Sequence, residues 1–208
     1  MRVWTLDFRL WTYTFMENVS VVKDDHEERL LKTAADADEF EGYARGAHAA
    51  RIAVLADALA IKFGLAAHDR FLLRQAALLH DAGERSMNRD YIKANRALRD
   101  DERIDVQRHS VVGEQEAAKL GLSRAVCLLV RWHHEWWNGA GYPDALSRQQ
   151  IPLAARILRV ADTFAALTAE RPYRAAVSAA EAKKYLTESA GIEFDPQVVK
   201  LFLTLEDF

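Results

Sequence analysis

Residues 48–63 read HAARIAVLADALAIKF, a stretch with the apolar periodicity of an amphipathic helix. Gly64 follows it directly, as is common where a helix ends. The same period recurs from about Asp24 onward, so the chain is predicted to be mostly helical. The apolar stripe of this stretch consists of Ile52, Leu55, Ala56, Leu59, Ala60 and Phe63. Helices are predicted near residues 25–35, 40–63, 69–82, 107–120, 123–136, 151–169, 178–190 and 195–205.

The N-terminal residues follow a different pattern. Residues 3–10 alternate between apolar and other side chains, which predicts a short strand or an extended arm. One side of it carries Trp4, Leu6, Phe8 and Leu10, and this side could pack on the core of the same chain or pair with another chain. No low-complexity linker and no internal repeat is visible. We therefore predict an N-terminal appendage at residues 1–25 and one compact all-α multi-helix bundle at residues 26–208.

Composition excludes several classes of protein. The chain has 208 residues, half of them apolar, which suffices for one buried core. Its net charge of −3 gives no reason to expect a surface for duplex DNA or RNA. The single cysteine, Cys127, lies in an apolar run and is predicted to be a core residue. No apolar run approaches the ~20 residues of a membrane helix, and charges interrupt the N-terminus before a signal-peptide core could form. These features predict a cytoplasmic protein without membrane insertion.

Polar residues interrupt the apolar helix faces at several positions. His80 and Asp81 close the run Ala76-Ala77-Leu78-Leu79, where a charged group is costly unless something pairs with it. Asp162 stands inside an otherwise half-buried helix. A metal ion would provide the missing partner at such positions. Histidines occupy comparable places on the predicted helices, namely His48, His109, His133 and His134.

Each of these residues has a simpler explanation when it is taken alone. A single histidine on an apolar helix is more often a hydrogen-bonded core residue than a ligand, and a single buried aspartate is more often a cap or an ion-pair partner. Five histidines and two aspartates together would need seven such explanations, and the joint pattern favours a metal site. His26 and His68 lie in polar stretches and fit no such pattern.

Three motifs carry a resemblance to a known family. Residues 77–83, ALLHDAG, look like the signature helix of HD-domain phosphohydrolases, and residues 133–143, HHEWWNGAGYP, are similar to the motif that names the HD-GYP subfamily. Residues 151–162, the segment Arg171-Pro172-Tyr173-Arg174 and Phe194-Asp195-Pro196 match the same subfamily in order and spacing. The resemblance covers roughly residues 40–205. A His-Asp pair alone is weak evidence, whereas the HHE-to-GYP run followed by RPYR is highly specific.

The resemblance implies a helical HD-domain fold and a site for two divalent metal ions. By family position, one ion would be held by His48, His80, Asp81 and Asp162, and the other by His109, His133 and His134, with Asp81 bridging the two. Imidazole and carboxylate ligands suit iron, manganese or zinc better than calcium or magnesium, and the family metal is often iron or manganese. Catalysis is assigned to Asp81 and His80, which would help to hold the metals that activate a hydroxide for attack on a phosphodiester.

The family hydrolyses cyclic dinucleotides, typically cyclic di-GMP, to the linear dinucleotide or to GMP. Arg171 and Arg174 match positions that contact the ligand, and guanidinium groups suit phosphate oxygens and a guanine edge. Surface salt bridges are their alternative role. Tyr142 is expected beside the substrate, in a turn formed by Gly141 and Pro143. A partner, either a second copy or another signalling protein, is left open.

This sequence departs from the family pattern at three positions. A trinuclear subset has Glu four residues before the first ligand histidine, and Ala44 stands there, which predicts two metals. The family commonly has Lys after His-Asp-x-Gly, and Glu84 stands there, which should weaken dinucleotide binding or alter which phosphate is bound. Ala165 replaces an Asp often found three residues after the ligand Asp. Two functions therefore remain open, an active phosphodiesterase or a weakly active or inactive nucleotide- or partner-binding signalling module.

Overall fold

The computed structural model describes residues 25–44, 47–94, 96–170 and 175–205. Over these ranges the chain is helical, without a β-strand, which confirms the predicted all-α bundle. The strand predicted at residues 3–10 lies outside the described residues. The ten α-helices are α1 (Asp25–Glu41), α2 (Ala47–Lys62), α3 (Ala67–Leu79), α4 (Ala82–Met87), α5 (Asp100–Val106), α6 (His109–Lys119), α7 (Arg124–Trp132), α8 (Leu153–Leu167), α9 (Ala179–Glu188) and α10 (Pro196–Phe202). Two short 3-10 helices occupy Asp90–Lys93 and Arg148–Gln150.

Helix α2 lies at the centre of the bundle, packed against α3 and α8. The apolar stripe predicted for it is buried, with Ile52, Leu55 and Leu59 fully inaccessible to solvent. Complete burial of such side chains contributes about 2 kcal/mol each. Cys127 is buried in α7, as predicted. The core therefore forms around the helices that carry His48, His80 and Asp162.

Local sequence sets several helix ends. Gly64 adopts a φ of 71°, a left-handed conformation that glycine adopts readily, directly after the α2 helix. Ser178 begins α9 with a capping box, since its hydroxyl accepts from the Glu181 amide at 3.2 Å and its own amide donates to the Glu181 carboxylate at 2.9 Å. Asp195 caps α10 with its side chain alone, which accepts from the Gln197 amide at 2.8 Å. These helices thus begin and end where short polar side chains or glycine satisfy the backbone.

Several helix boundaries differ from the prediction, and three of the differences affect the site. The first helix does not end near residue 35 but continues to Glu41, and the helix predicted to begin at residue 40 begins at Ala47. The helix predicted over residues 69–82 ends at Leu79, directly before His80 and Asp81. The helix predicted over residues 123–136 ends at Trp132, which places His133 at the C-cap and His134 in the following turn. The short helices α4 and α5 were not predicted. In the described part of the chain, no helix is both long enough and apolar enough to cross a bilayer.

Candidate metal centre

The seven predicted metal ligands lie within or at the ends of six helices and converge onto one place in the bundle. Within each of two neighbouring groups, one ligand atom per residue lies within 4.8 Å of the others. The first group is Asp81, His109, His133 and His134, and the second is His48, His80 and Asp162. The ends of helices supply most of these positions, because His80 follows α3, Asp81 precedes α4, His109 begins α6 and His133 follows α7.

Asp81 lies between the two groups. Its Oδ2 is 2.9 Å from His80 Nε2 in the second group. Its Oδ1 is 3.4 Å from His109 Nε2 and 3.6 Å from His133 Nε2 in the first group. One carboxylate thus faces both groups, as the bridging role expected for Asp81 requires.

Three histidines are oriented by the same backbone contact. The Nδ1 atoms of His80, His109 and His133 lie 3.0, 2.7 and 2.6 Å from the carbonyl oxygen three residues earlier in the chain. A carbonyl oxygen only accepts hydrogen bonds, so each Nδ1 carries a proton and each Nε2 faces the site. This arrangement is the one that metal-binding histidines commonly use to fix ring orientation.

The inward-facing atoms need a cation. His109 Nε2 and His133 Nε2 lie 3.3 Å apart, and Asp81 Oδ1 faces both. Because Nδ1 of both histidines is protonated, the two Nε2 atoms and Asp81 Oδ1 are all acceptors, and no donor lies between them. His80 Nε2 and Asp81 Oδ1 are also buried without a hydrogen bond of normal geometry. Divalent ions would satisfy these groups, so the residues present fit a binuclear metal site.

The electrostatics of the site favour positive charge. Burial alone lowers the pKa of His80, but the carboxylates of Asp81 and Asp162 outweigh it and raise this pKa to about 10. Burial raises the pKa of Asp162, whereas that of Asp81 is held well below its usual range by His80 and the neighbouring histidines, despite burial. Burial lowers the pKa of His109 to about 4. Two buried carboxylates therefore attract either a proton or a metal ion, while His109 stays neutral as a ligand must.

Residues that the sequence analysis did not single out support His48. The buried carboxylate of Asp38 accepts hydrogen bonds from the amides of His48 at 3.0 Å and Ala49 at 3.2 Å, which ties the start of α2 to α1. Burial raises the pKa of Asp38 to about 6. The ring of Tyr43 stacks on the His48 ring, with centroids 3.8 Å apart. No spacing rule in the sequence marks these two residues, because their contacts depend on the break between α1 and α2.

The Gly-Tyr-Pro segment is held beside the site by backbone contacts. The buried carboxylate of Glu135 accepts from the amides of Asp144 at 2.7 Å and Leu146 at 3.0 Å. Gly141 leaves no room for a side chain, since a Cβ there would lie 2.2 Å from the Trp136 amide nitrogen. Glycine at this position is therefore explained by close backbone approach. These contacts place Tyr142 over the histidines.

Tyr142 and Arg159 both contact His134. The Tyr142 ring lies 4.9 Å from the His134 ring, and burial raises the pKa of Tyr142 well above its usual value. Arg159 Nη1 lies 3.1 Å from His134 Nδ1, so His134 accepts there and is oriented differently from the other three histidines. Arg159 stands one helical turn before Asp162 on α8, and this i,i+3 spacing places the two side chains on the same face of the helix.

A cavity of about 300 Å³ opens onto the two groups. Glu84 lines it together with Asp81 and Asp162, and burial raises the pKa of Glu84 well above its usual value, with a further contribution from the Asp81 charge. Arg159 lines the same cavity from α8. The predicted substrate residues Arg171 and Arg174 lie outside the described residues. The departure at Glu84 thus lies where a ligand of the metals would enter.

Comparisons with known proteins agree with this geometry. The family described as "HD domain" matches residues 25–198. The chain is 36% identical to "3'3'-cGAMP-specific phosphodiesterase 3" of Vibrio cholerae, over 72% of this chain and 33% of that protein. It is 32% identical to "Cyclic di-GMP phosphodiesterase response regulator RpfG" of Xanthomonas campestris, over 86% of this chain and 48% of that protein.

A solved structure shares the fold. It is that of a cyclic GMP-AMP specific phosphodiesterase from V. cholerae, with a TM-score of 0.65 and 21% identity over 86% of this chain and 47% of that one. The chain thus spans between a third and a half of the length of the proteins it resembles.

Proposed function

The chain belongs to the HD domain family, in its HD-GYP branch, and on that premise we propose that it is a metal-dependent phosphodiesterase of cyclic dinucleotides. The observation that carries the proposal is the convergence of Asp81 Oδ1 with the Nε2 atoms of His109 and His133. A divalent cation would satisfy acceptor atoms that are grouped in this way. Relatives named for cyclic di-GMP and for 3'3'-cGAMP support the class of substrate, and cyclic di-GMP is the substrate we propose first.

In this proposal the seven side chains hold two divalent ions, iron or manganese, with zinc as the alternative. His48, His80 and Asp162 would hold one ion, His109, His133 and His134 would hold the other, and the Asp81 carboxylate would contribute ligand atoms. When bound, the two ions supply Lewis acidity that makes water nucleophilic near neutral pH and offsets the charge of the phosphodiester.

The protein's own contribution is orientation. Backbone carbonyls hold three imidazoles with Nε2 facing inward, so the ligand atoms need no rearrangement to bind metal. Helix ends in the packed core fix the positions of His80, Asp81 and His109. Tyr142 covers the His134 side of the site and limits the access of water there. Cleavage of cyclic di-GMP would then yield the linear dinucleotide or GMP.

One observation favours a second candidate function, a nucleotide- or partner-binding signalling module without turnover. Glu84 lines the cavity beside Asp81 and Asp162 and places an acidic residue where an anionic substrate would bind. In its ionised form, the Glu84 carboxylate opposes the approach of a phosphodiester. The fold and the metal ligands would be retained in such a module.

The test is an assay under reducing conditions. The protein is loaded with Fe(II), Mn(II) or Zn(II), incubated with cyclic di-GMP or 3'3'-cGAMP, and the products are separated by chromatography. We expect linear dinucleotide or GMP from cyclic di-GMP, and no product from Asp81→Ala. Asp57→Asn, which removes a surface pair with Arg70, is the control and should retain activity. Two bound metals with no product from either cyclic dinucleotide would exclude the phosphodiesterase and favour the module.

A further inference from the structure

Arg159 is the cationic side chain that, among the described residues, lines the cavity over the metal ligands. Its side chain is only 14% exposed, and its guanidinium has two different sides. Nη2 donates to Glu193 Oε2 at 2.9 Å, and Tyr185 donates to the other oxygen of that carboxylate at 2.6 Å. The guanidinium also lies over the ring of Phe194. This side of Arg159 is anchored by groups that take no part in the metal centre.

The other side of the guanidinium depends on residues of the metal centre. Nη1 donates to His134 Nδ1 at 3.1 Å and lies 3.8 Å from Asp162 Oδ2. Nε is buried and makes no hydrogen bond in the described part of the chain. In the metal-free arrangement, Nη1 therefore uses the side chains that are proposed to bind the metals.

Metal binding removes the acceptor that His134 provides. A neutral imidazole has one lone pair, and the nitrogen that does not bind the metal carries a proton. If His134 binds a metal through Nδ1, its lone pair is used, and if it binds through Nε2, Nδ1 becomes a donor. In both cases Nη1 of Arg159 loses its hydrogen-bond acceptor. A buried guanidinium N–H without an acceptor is costly, so another acceptor must replace His134.

We propose that Arg159 binds a phosphate oxygen of the substrate next to the metal ions. A phosphate group brought to the metals supplies anionic oxygens, the acceptors that a guanidinium prefers. Because Nη2 stays on Glu193, Nη1 is held toward the cavity-lining residues His134 and Asp162 without loss of side-chain order. Arg159 thereby provides a cation at a site where Glu84 replaces the lysine common in the family. The inference deepens the proposed function and rests on its metal assignment.

Arg156 offers a matched control on the same helix. Its side chain is 15% exposed, it forms an ion pair with Asp195, and it lies over the ring of Trp137, as Arg159 lies over Phe194. Arg156 does not line the cavity. A purely structural role for Arg159 therefore predicts that Arg156→Gln and Arg159→Gln behave alike.

The experiment measures the binding of inorganic phosphate to the metal-loaded protein by calorimetry, with metal content determined for each sample. Compared with the wild type, we expect Arg159→Gln to raise the Kd for phosphate at least tenfold with both metals retained. Arg159→Lys should raise the Kd less than Arg159→Gln, because lysine keeps the positive charge but cannot also keep the hydrogen bond to Glu193. Arg156→Gln should change it less than twofold. With cyclic di-GMP as substrate, Arg159→Gln should raise KM more than it lowers kcat.

Several results would overturn the proposal. The first is an equal Kd for phosphate in Arg159→Gln and Arg156→Gln. The second is the absence of phosphate binding by the metal-loaded wild type. The third is a loss of metal from both Arg159 variants that accounts for their weaker phosphate binding. Failure of the proposed function is distinguishable. If the wild type binds phosphate through Arg159 but cleaves no cyclic dinucleotide, the proposed function is rejected and the role of Arg159 is retained. If the wild type cleaves the dinucleotide and Arg159→Gln has an unchanged Kd for phosphate, only the role of Arg159 is rejected.

Discussion

Gly83 packs so closely on His109 that a Cβ added at position 83 would lie 2.0 Å from the His109 carbonyl oxygen. The same Cβ would lie 2.7 Å from the amide nitrogen of Gly113. Helices α4 and α6 therefore meet backbone to backbone at this point. Because Asp81 precedes α4 and His109 begins α6, the contact fixes the distance between two proposed metal ligands.

Gly83→Ala should separate α4 from α6. The obstructing atoms belong to the backbone, which yields less than a flexible side chain, so we expect a loss of about 1–3 kcal/mol in the free energy of unfolding. Metal affinity should fall at least tenfold, since Asp81 and His109 move apart. Urea unfolding of the metal-free protein and metal titration measure the two effects separately.

Gly64→Ala is the control for this variant. Position 64 has open space around it but a φ of 71°, so alanine costs backbone strain of about 1 kcal/mol without a clash. Metal affinity should not change in this variant. Equal metal affinities in the two variants would show that the Gly83 contact does not position the ligands.

The helices were predictable from sequence where their apolar stripes are long. The apolar stripe from Ile52 to Leu59 predicts α2 because its spacing matches one face of a helix, and burial of that face stabilises the helix. Helices α4 and α5 are too short to show a period, and tertiary contacts such as that of Gly83 hold α4 in place. The break between α1 and α2 depends on the Asp38 carboxylate, a contact across 10 residues that local patterns do not report.

The candidate site was predictable to a different extent in each of its parts. The seven proposed ligands could be named because their chemistry interrupts apolar helix faces and follows a family spacing. The orientation of the ligand histidines by backbone carbonyls could not be predicted from sequence, since it depends on where each helix ends. Arg159 was missed because an arginine on a helix is usually solvated, and only the packed structure shows its guanidinium against His134.

Metal content tests the bridging position of Asp81. Metal analysis of the purified protein should approach two divalent ions per chain, because Ala44 stands where a third ion would find a glutamate. Asp81→Asn should lower this value, since its amide supplies no charge to either group. Asp57→Asn should leave it unchanged, because Asp57 pairs with Arg70 outside the two groups. A value near three in the wild type would contradict the assignment of two metals.

Metal binding should release protons. The carboxylates of Asp81 and Asp162 raise the pKa of His80 to about 10, so the metal-free site holds His80 protonated at pH 7.5. A ligand histidine must be neutral, and this proton must leave when the ion enters. Calorimetric titration with Mn(II) in buffers of different ionisation enthalpy should detect at least about one proton released per chain. Binding at pH 7.5 with no proton release would show that His80 is not protonated in the metal-free protein.

Glu84→Lys should strengthen binding of a cyclic dinucleotide. The substitution replaces an acidic group beside Asp81 and Asp162 with a cation that attracts phosphate, and we expect the Kd or KM for cyclic di-GMP to fall about tenfold, about 1.4 kcal/mol. Glu28→Lys makes the same change of net charge on an exposed face of α1 and should have little effect. Unchanged or weaker binding in Glu84→Lys would show that Glu84 does not oppose the substrate.

Acid should weaken the attachment of the Gly-Tyr-Pro segment through Asp144. Its carboxylate accepts from Arg131 at 2.6 and 2.7 Å and from the Trp132 indole at 2.7 Å, and the Arg131 hydrogen bonds lower its pKa to about 2. A carboxyl group with a depressed pKa stabilises the fold at any pH above its unfolded pKa of about 3.9, and this contribution is lost as the pH falls toward 2. Asp144 thus adds stability at neutral pH and none in strong acid.

Asp144→Asn should therefore lose stability at pH 7 and match the wild type near pH 2. Because the side chain is 33% exposed, solvent screens the pair, and we expect a loss of about 0.5–1 kcal/mol at pH 7. Urea unfolding at pH 7, 4 and 2 measures the difference. Asp101→Asn removes a pair with Arg99 at a carboxylate that is 73% exposed, and no measurable loss is expected there. A difference between Asp144→Asn and the wild type that stays constant from pH 7 to pH 2 would show that the Asp144 charge does not stabilise the segment.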